Sequence, residues 1–453
     1  MSEVRVAFYG DDFTGSVDVL LQFARRGHRG RLFVGRPSPT ALAEAARTND
    51  VLGVAGIARS LASAELTGEV APALDLLLTL DPHILQYKAC STADSSPEIG
   101  SIGRVLEIAR EKVPGPVPIL FAQPDFGRYT AFGHHFAAER GTVYRLDRQP
   151  TMSQHPSTPM RESDLVVHLG AQTDLAIESI PFTAYDGQAQ PRRRAASAEA
   201  AVDSDPQFGR NSAVVGPLAR HLRSSDAAGI ILDALDDDHL RLIGEALVSL
   251  ERPVFAIGSG GLSHAIALAD ARAADPIPAC GREAGPVLAV SGSRSAQTRR
   301  QADAARAAGW LVRPLSLQPD AGLDDVLEAL EEGRSVVLTS DDADASQVPT
   351  DSLLHTISTA CTRAVDGALR GGSTRRIIVC GGDTSSRVAT QLGVTSLSIA
   401  ANPWDNVVLL NAHADDPAID GAELLLKGGQ VGADDLFEAV RTGGPSPGPS
   451  PQR

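Results

Sequence analysis

Two adjacent carboxylates, Asp11 and Asp12, follow the apolar stretch Val4–Tyr9 and precede Phe13-Thr14-Gly15-Ser16. At the carboxyl end of a strand in an open α/β sheet, where ligands bind, such a pair would need a hydroxyl-rich ligand, a cation or the donors of a helix start. The plain alternative is a helix N-cap with a surface partner. An aspartyl nucleophile of the phosphatase kind would want its two aspartates at i and i+2, so that mechanism is disfavoured. No G-x-S-x-G elbow occurs, which weakens an esterase reading.

A second candidate is Gln86-Tyr87-Lys88-Ala89-Cys90-Ser91-Thr92-Ala93-Asp94-Ser95-Ser96, a lysine beside clustered hydroxyls and an aspartate after a strand. That combination suits a carboxylate or phosphate on a small polyol, against the simple reading of a lysine at a strand end. His134, His135 and His155 lie in a stretch crowded with Pro, His, Arg and Ser, about 122–165, which reads as loop-rich. A long stretch of that kind is functional or disordered, and its aromatic and histidine content favours function. Each histidine is more readily a satisfied loop residue than a base.

The C-terminal half carries anion-binding chemistry. Ser291-Gly292-Ser293-Arg294-Ser295 and Gly381-Gly382-Asp383-Thr384-Ser385 each follow an apolar strand and precede a helix. Such junctions present free backbone N–H groups and the positive end of a helix dipole. Glycine lets the backbone approach a phosphate, and Ser291, Ser293, Thr384 and Ser385 add hydroxyls. A third glycine loop, Lys427-Gly428-Gly429-Gln430-Val431-Gly432, ends the last strand. Neither a P-loop nor a strand-linked G-x-G-x-x-G is present.

The elements that must hold these residues alternate. A strand at Val4–Tyr9 leads to a helix at Val17–Arg26, a strand at Gly30–Val34, a helix in 39–47 and a strand at 51–57. After 287 come a strand Val287–Val290, a helix Ala296–Ala308, a strand Arg376–Cys380 and a helix through Leu392. Alternation predicts an α/β fold with mostly parallel sheets. Two α/β domains are expected, over 1–270 and 287–441, joined by a Pro/Gly-rich linker at 271–286, with a Pro/Ser/Gly tail, 442–453, expected to be disordered. Asp236-Asp237-Asp238 is expected to cap the helix after it. The Arg192-Arg193-Arg194 segment reads as a solvated surface or helix start.

Composition bounds the partners. The 453 residues carry 56 acidic and 41 basic side chains, a formal net charge of −15. This argues against nucleic acid and against an anionic membrane surface, but not against a small anion met by local donors. Lys88, Lys112 and Lys427 are the three lysines among the 41 basic residues. Four scattered cysteines, Cys90, Cys280, Cys361 and Cys380, suit neither a disulfide framework nor a zinc site. With no signal-like start and no long apolar run, a soluble cytoplasmic protein is expected.

Taken together, FYGDDFTGSVDVL, YKACSTADSSPEIGSIGRV, HPSTPM with SDL, VSGSRSAQTRRQ, VCGGDTSSRVA and LLLKGGQVG occur in an order that resembles the four-carbon acid sugar kinase family over roughly 4–440. The resemblance implies an N-terminal sugar-acid domain, a C-terminal ATP domain and an active site in the cleft between them. It implies an ATP-dependent kinase of a 3-oxo-tetronate, threonate or erythronate, with Mg²⁺. A branched acid such as 3-oxo-isoapionate, or a non-catalytic sugar-acid-binding protein, is the alternative.

By the same resemblance, the sugar acid meets Asp11, Asp12, Arg59, Lys88 and Asp94, with Thr14 and Gly15 on the same loop as the aspartates. ATP meets Ser293, Gly381, Gly382, Asp383, Thr384 and Gly429, and Ser291 joins them on its loop chemistry alone. Lys88 and Arg59 would hold the substrate carboxylate. Asp12, or Asp11 in its place, would take the proton of the attacking hydroxyl. No metal ligand is assigned, and a homodimer is expected only as the commonest assembly. The last loop departs from the family pattern Lys-Ser-Gly-Asn-Phe-Gly while keeping its two outer glycines, and Asp383 stands where many members have Glu.

Overall fold

The computed structural model describes residues 4–185 and 209–443, except 274–275, 284, 319–321, 342, 345–347, 350–351 and 405–406. Side chains of the helix beginning at Gly209 are described from 216 onward. The arginine run at 192–194 and the tail beyond 443 lie outside the described residues.

Along the chain the strands are β1 (Val6–Gly10), β2 (Gly30–Val34), β3 (Val51–Ala55), β4 (Ile84–Lys88), β5 (Val117–Leu120) and β6 (Arg128–Ala131). They continue as β7 (His134–Glu139), β8 (Thr142–Arg145), β9 (Ile177–Ile180), β10 (Gly229–Leu232), β11 (Val254–Gly258) and β12 (Val287–Ser291). The last six are β13 (Leu311–Pro314), β14 (Val336–Thr339), β15 (Arg376–Cys380), β16 (Val394–Trp404), β17 (Val407–Ala414) and β18 (Glu423–Lys427).

The chain forms two compact units. The first comprises Met1–Arg29 and Ser38–Ala274, the second Gly30–Pro37 and Asp275–Arg453. In the first unit seven strands run in the order β3-β1-β4-β11-β5-β10-β9, with parallel pairing throughout. β1, β3, β4, β5, β10 and β11 are buried at every position, as a parallel sheet covered on both faces requires. The first helix, Phe13–Ala24, starts four residues earlier than the apolar pattern suggests. Asp12 is its N-cap, accepting from Gly15 N at 2.9 Å. Asp236 caps the helix Asp237–Val248 in the same way, as expected.

The stretch expected to be irregular carries an antiparallel sheet, β6-β7-β8. Its two hairpins turn at Phe132-Gly133 and Arg140-Gly141, with φ of 51° and 77°, and of 50° and 78°. Those left-handed pairs are the turns that match strand twist. Without an Asn-Gly or Asp-Gly signal they read as loop.

In the second unit β13-β14-β12-β15-β18 are parallel, and β17, β16 and β2 extend the sheet with antiparallel pairing. Its core gathers Val287, Ala289, Trp310, Ile378, Leu425 and Phe437. β2 belongs here: Phe33 pairs with Ser396, more than 360 residues away. Among the described residues no helix is long and apolar enough to cross a membrane.

Candidate functional site

In the first unit the site grows from the carboxyl ends of three adjacent strands, where Gly10 of β1 is in register with Ala55 of β3 and Lys88 of β4. The ladder extends one residue further, Asp11 N donating to Lys88 O at 2.9 Å and Arg59 N to Asp11 O at 3.1 Å. Asp11, Arg59 and Lys88 are thereby fixed by backbone geometry before any side chain acts.

The side chains then interlock. Arg59 donates to Asp11 through Nη2 at 2.8 Å and Nε at 3.1 Å, and to Asp12 through Nη2 at 3.0 Å and Nη1 at 3.1 Å. Thr14 Oγ1 also donates to Asp12, at 2.9 Å. Thus Thr14, Gly15 and Arg59 all hold Asp12, whose side chain keeps about a quarter of its surface exposed, while Asp11 is buried. Burial pushes the Asp11 carboxyl up from its ordinary value, with the Arg59 guanidinium pulling the other way. Burial is the largest single influence on Arg59 and works against its charge, but Asp11, Cys90 and Asp12 together outweigh it, and the guanidinium holds its proton more tightly than usual.

Lys88 is buried and its Nζ donates to Ala89 O at 2.8 Å. A Cβ at Gly15 would lie 3.0 Å from that Nζ, so glycine leaves the ammonium its place. Asp94, also buried, accepts from Thr92 Oγ1 at 2.5 Å. The loop around it is clamped by histidines. His135 on β7 lies 2.8 Å from Ser91 O through Nε2 and 2.9 Å from Thr130 Oγ1 through Nδ1. His168 Nε2 lies 3.1 Å from Ser95 Oγ. Burial lowers both histidines, His135 to about 4, so each is a neutral fastener at neutral pH. His134 pairs with Ser163 and His155 with Thr158, as loop or strand partners.

The second unit builds a different surface. Its loops follow β12, β15 and β18, neighbours in the sheet. Gly292 N donates to Cys380 O at 3.0 Å and Gly381 N to Lys427 O at 2.9 Å, which brings the loops level. Gly381 takes φ of 116° and starts the helix Gly382–Gln391 without any side-chain cap. Its first amides are left for an anion. Asp383 is exposed beside them, Gly382 faces open space, and Thr384 is buried.

Gly429 closes the cradle from the other side. A Cβ there would come within 2.4 Å of Ser293 Oγ and 3.1 Å of Ser295 Oγ. Ser295 Oγ and Thr298 Oγ1 both donate to Gly429 O, the latter at 2.9 Å. Ser293 N donates to Ser291 Oγ at 3.2 Å. Lys427, 2% exposed, reaches Thr298 Oγ1 at 3.2 Å and sits beside the Cys380 thiol.

The residues assigned to a ligand from sequence fall in two clusters, while His134 and His155 stand outside both. Arg59, Lys88, Asp94, Thr14, Gly15 and the two aspartates form the first, and Ser291, Ser293, Gly381, Gly382, Asp383, Thr384 and Gly429 the second. Ser295 and Thr298 join the second without having been assigned to it, and Lys427, marked from sequence by its glycine loop and the scarcity of lysine, joins it too. The signal for the first two was the Ser-x-x-Thr spacing at the helix start. No cluster of three or more metal-ligating side chains occurs among the described residues.

Comparison with known proteins matches these halves. Residues 6–266 match the family described as Sugar-binding N-terminal domain, and residues 288–437 the one described as Nucleotide-binding C-terminal domain. The chain belongs to the four-carbon acid sugar kinase family. It is 34% identical to a 3-oxo-isoapionate kinase of Paraburkholderia graminis over 97% of this chain and 94% of that one. A 3-oxo-tetronate kinase of Pseudomonas savastanoi pv. phaseolicola is 30% identical, with 94% of each chain covered. A D-threonate kinase of Bordetella bronchiseptica is 25% identical, with 95% of each covered.

Two solved structures share the fold. One is a putative tRNA synthase from Salmonella typhimurium LT2, with TM-score 0.73, 22% identity and 96% and 98% coverage of the two chains. The other is a Haemophilus influenzae protein, with TM-score 0.71, 20% identity and 96% and 99% coverage. The chain is accordingly a sugar-acid kinase, a transferase with a nucleotide-binding C-terminal domain.

Proposed function

We propose that the chain transfers the γ-phosphoryl group of ATP to the terminal hydroxyl of a 3-oxo sugar acid with a four-carbon backbone, as in 3-oxo-tetronate. The observation that carries this is the pairing of two unlike sites in one chain. One is a cluster of carboxylates and cations at the end of β1 and β4, the other an uncapped, glycine-lined helix start at the end of β15.

Phosphoryl transfer asks a protein mainly for positioning and charge neutralisation. In the second unit the amides of Gly382 and Asp383 and the Ser293 and Thr384 hydroxyls hold the phosphates, with Gly429 giving them room. Mg²⁺ would arrive with the nucleotide, with Asp383 as the exposed carboxylate at that loop, and would supply charge neutralisation on the phosphates. In the first unit Lys88 and Asp94 bind the acid's oxygens. Arg59 acts mainly by holding Asp11 and Asp12 in place, because four of its hydrogen bonds already go to them. Asp12, the more exposed aspartate, takes the hydroxyl proton.

A second reading has a specific support, the 34% identity to a kinase of the branched 3-oxo-isoapionate. Both are tested by a coupled ADP assay with threonate, erythronate, 3-oxo-tetronate and 3-oxo-isoapionate. The first reading expects the highest kcat/KM on 3-oxo-tetronate. A preference above tenfold for the branched acid selects the second, and ligand binding without ADP formation overturns both.

A further inference from the structure

The charges of the sugar-acid cluster do not balance. Asp11, Asp12 and Asp94 bring three carboxylates against two cations, Arg59 and Lys88, and Arg59 is committed to the two aspartates. A carboxylate substrate entering there needs another cation.

Arg128, the first residue of β6, is placed to supply it. Arg128 and Thr130 are two apart on one strand and so share a face. Thr130 is paired across the hairpin with His135, and His135 is fastened to Ser91 O of the Lys88–Asp94 loop at 2.8 Å. That face therefore packs on the loop that carries Asp94. Cys90 ties the group together: its thiol feels Asp94, Arg59 and Lys88, and Arg128 in turn feels Cys90 and Asp94.

The guanidinium is only half used. Nη1 donates to Phe126 O at 2.9 Å and Ala138 O at 3.2 Å, while Nε is buried without a hydrogen-bond partner. An unsatisfied buried donor on an arginine is costly, and a planar carboxylate is the group its fork best accepts.

We propose that Arg128 is a specificity-determining residue that binds the carboxylate of the sugar acid, together with Lys88. The proposal rests on the sugar-acid kinase reading above. Its test uses the full-length enzyme, ATP and whichever acid of the four-acid panel has the highest kcat/KM. Arg128→Gln is expected to raise KM for the acid at least tenfold, with kcat at saturating acid and KM for ATP changed less than threefold. Arg128→Lys, which keeps the charge without the fork, should recover part of that rise.

An acid KM raised less than threefold in Arg128→Gln overturns the proposal. So does a fall in kcat at unchanged KM, or a lysine variant no better than glutamine, which would mark Arg128 as a staple for the Phe126 and Ala138 carbonyls. Should Arg128→Gln not fold, Arg128→Lys carries the same test, with a threefold or greater rise in acid KM at unchanged ATP KM expected. Absence of turnover by the unaltered enzyme on all four acids is a separate result, which removes the functional reading itself.

Discussion

Arg59 and Asp11 meet fork to fork, Nη2 on Oδ1 at 2.8 Å and Nε on Oδ2 at 3.1 Å, at a point where the carboxylate is buried and the guanidinium is about a quarter exposed. The pair joins the end of β1 to the 3₁₀ turn Ala58–Ser60. It also holds the neighbouring Asp12 still, so stability and activity share one set of hydrogen bonds.

Removing one partner should cost more than removing both. Arg59→Ala leaves a buried carboxylate uncompensated and is expected to destabilise the chain by about 3 kcal/mol. Asp11→Asn added to it should restore a good part of that loss. Urea unfolding of the single and double variants measures both, and an additive double variant would show that the pair is not coupled.

Asp12→Asn separates capping from chemistry. Asparagine caps a helix as well as aspartate, so the cap survives, and the lost charge and acceptor opposite Arg59 and Thr14 should cost about 1–2 kcal/mol. Turnover should fall about 10²- to 10⁴-fold if the carboxylate takes the hydroxyl proton. A loss below tenfold would mean that the proton goes elsewhere.

Gly429→Ala addresses the nucleotide cradle. The added methyl would press on Ser293 and Ser295, so KM for ATP should rise at least tenfold with KM for the sugar acid within twofold. Equal rises for both substrates in initial-rate kinetics would contradict the division of labour between the two clusters.

His135 makes acid the weak side of the first unit. Its folded pKa is pushed down to about 4 by burial, against about 6.5 in an unfolded chain. Between those values the unfolded chain binds the proton and the folded one does not. The contribution to stability is therefore whole above about pH 6.5 and is lost as pH falls toward 4. The slope is up to about 1.4 kcal/mol per pH unit. His168 and His28, also lowered chiefly by burial, add in the same sense. In His135→Gln the loss from pH 6.5 to 4.5 should be shallower than in the unaltered chain, whatever its stability at pH 7.5. Parallel pH profiles from urea titrations would count against this assignment.

Local signals carried much of this. Largely apolar strands ending in Gly10, Lys88, Ser291, Cys380 and Lys427 announced parallel sheets, and the polar runs after them announced both clusters. What was not legible depended on distance along the chain. Gly30–Val34 reads as a strand, but nothing near it specifies Ser396 and Leu397 as its partners. Arg59 could be assigned to the sugar acid only by resemblance, since its engagement with Asp11 and Asp12 crosses 48 and 47 residues. Arg128 was hidden because β6 and β7 turn at Phe132-Gly133, a pair whose left-handed backbone is set by the hairpin rather than by an obvious turn sequence.

The scarcity of lysine has a chemical corollary. Of the three, Lys88 and Lys427 are 4% and 2% exposed, and Lys112, on the helix Ile102–Lys112, is held by Asp75 with its side chain 15% exposed. Side-chain amines are thus nearly absent from the protein's reactive surface, while arginine supplies its positive charge. Acyl donors and aldehydes that attack amines should find Lys112 first, in neither ligand cluster. Dicarbonyl reagents that attack guanidinium groups should inactivate the enzyme far sooner, and bound sugar acid should slow them.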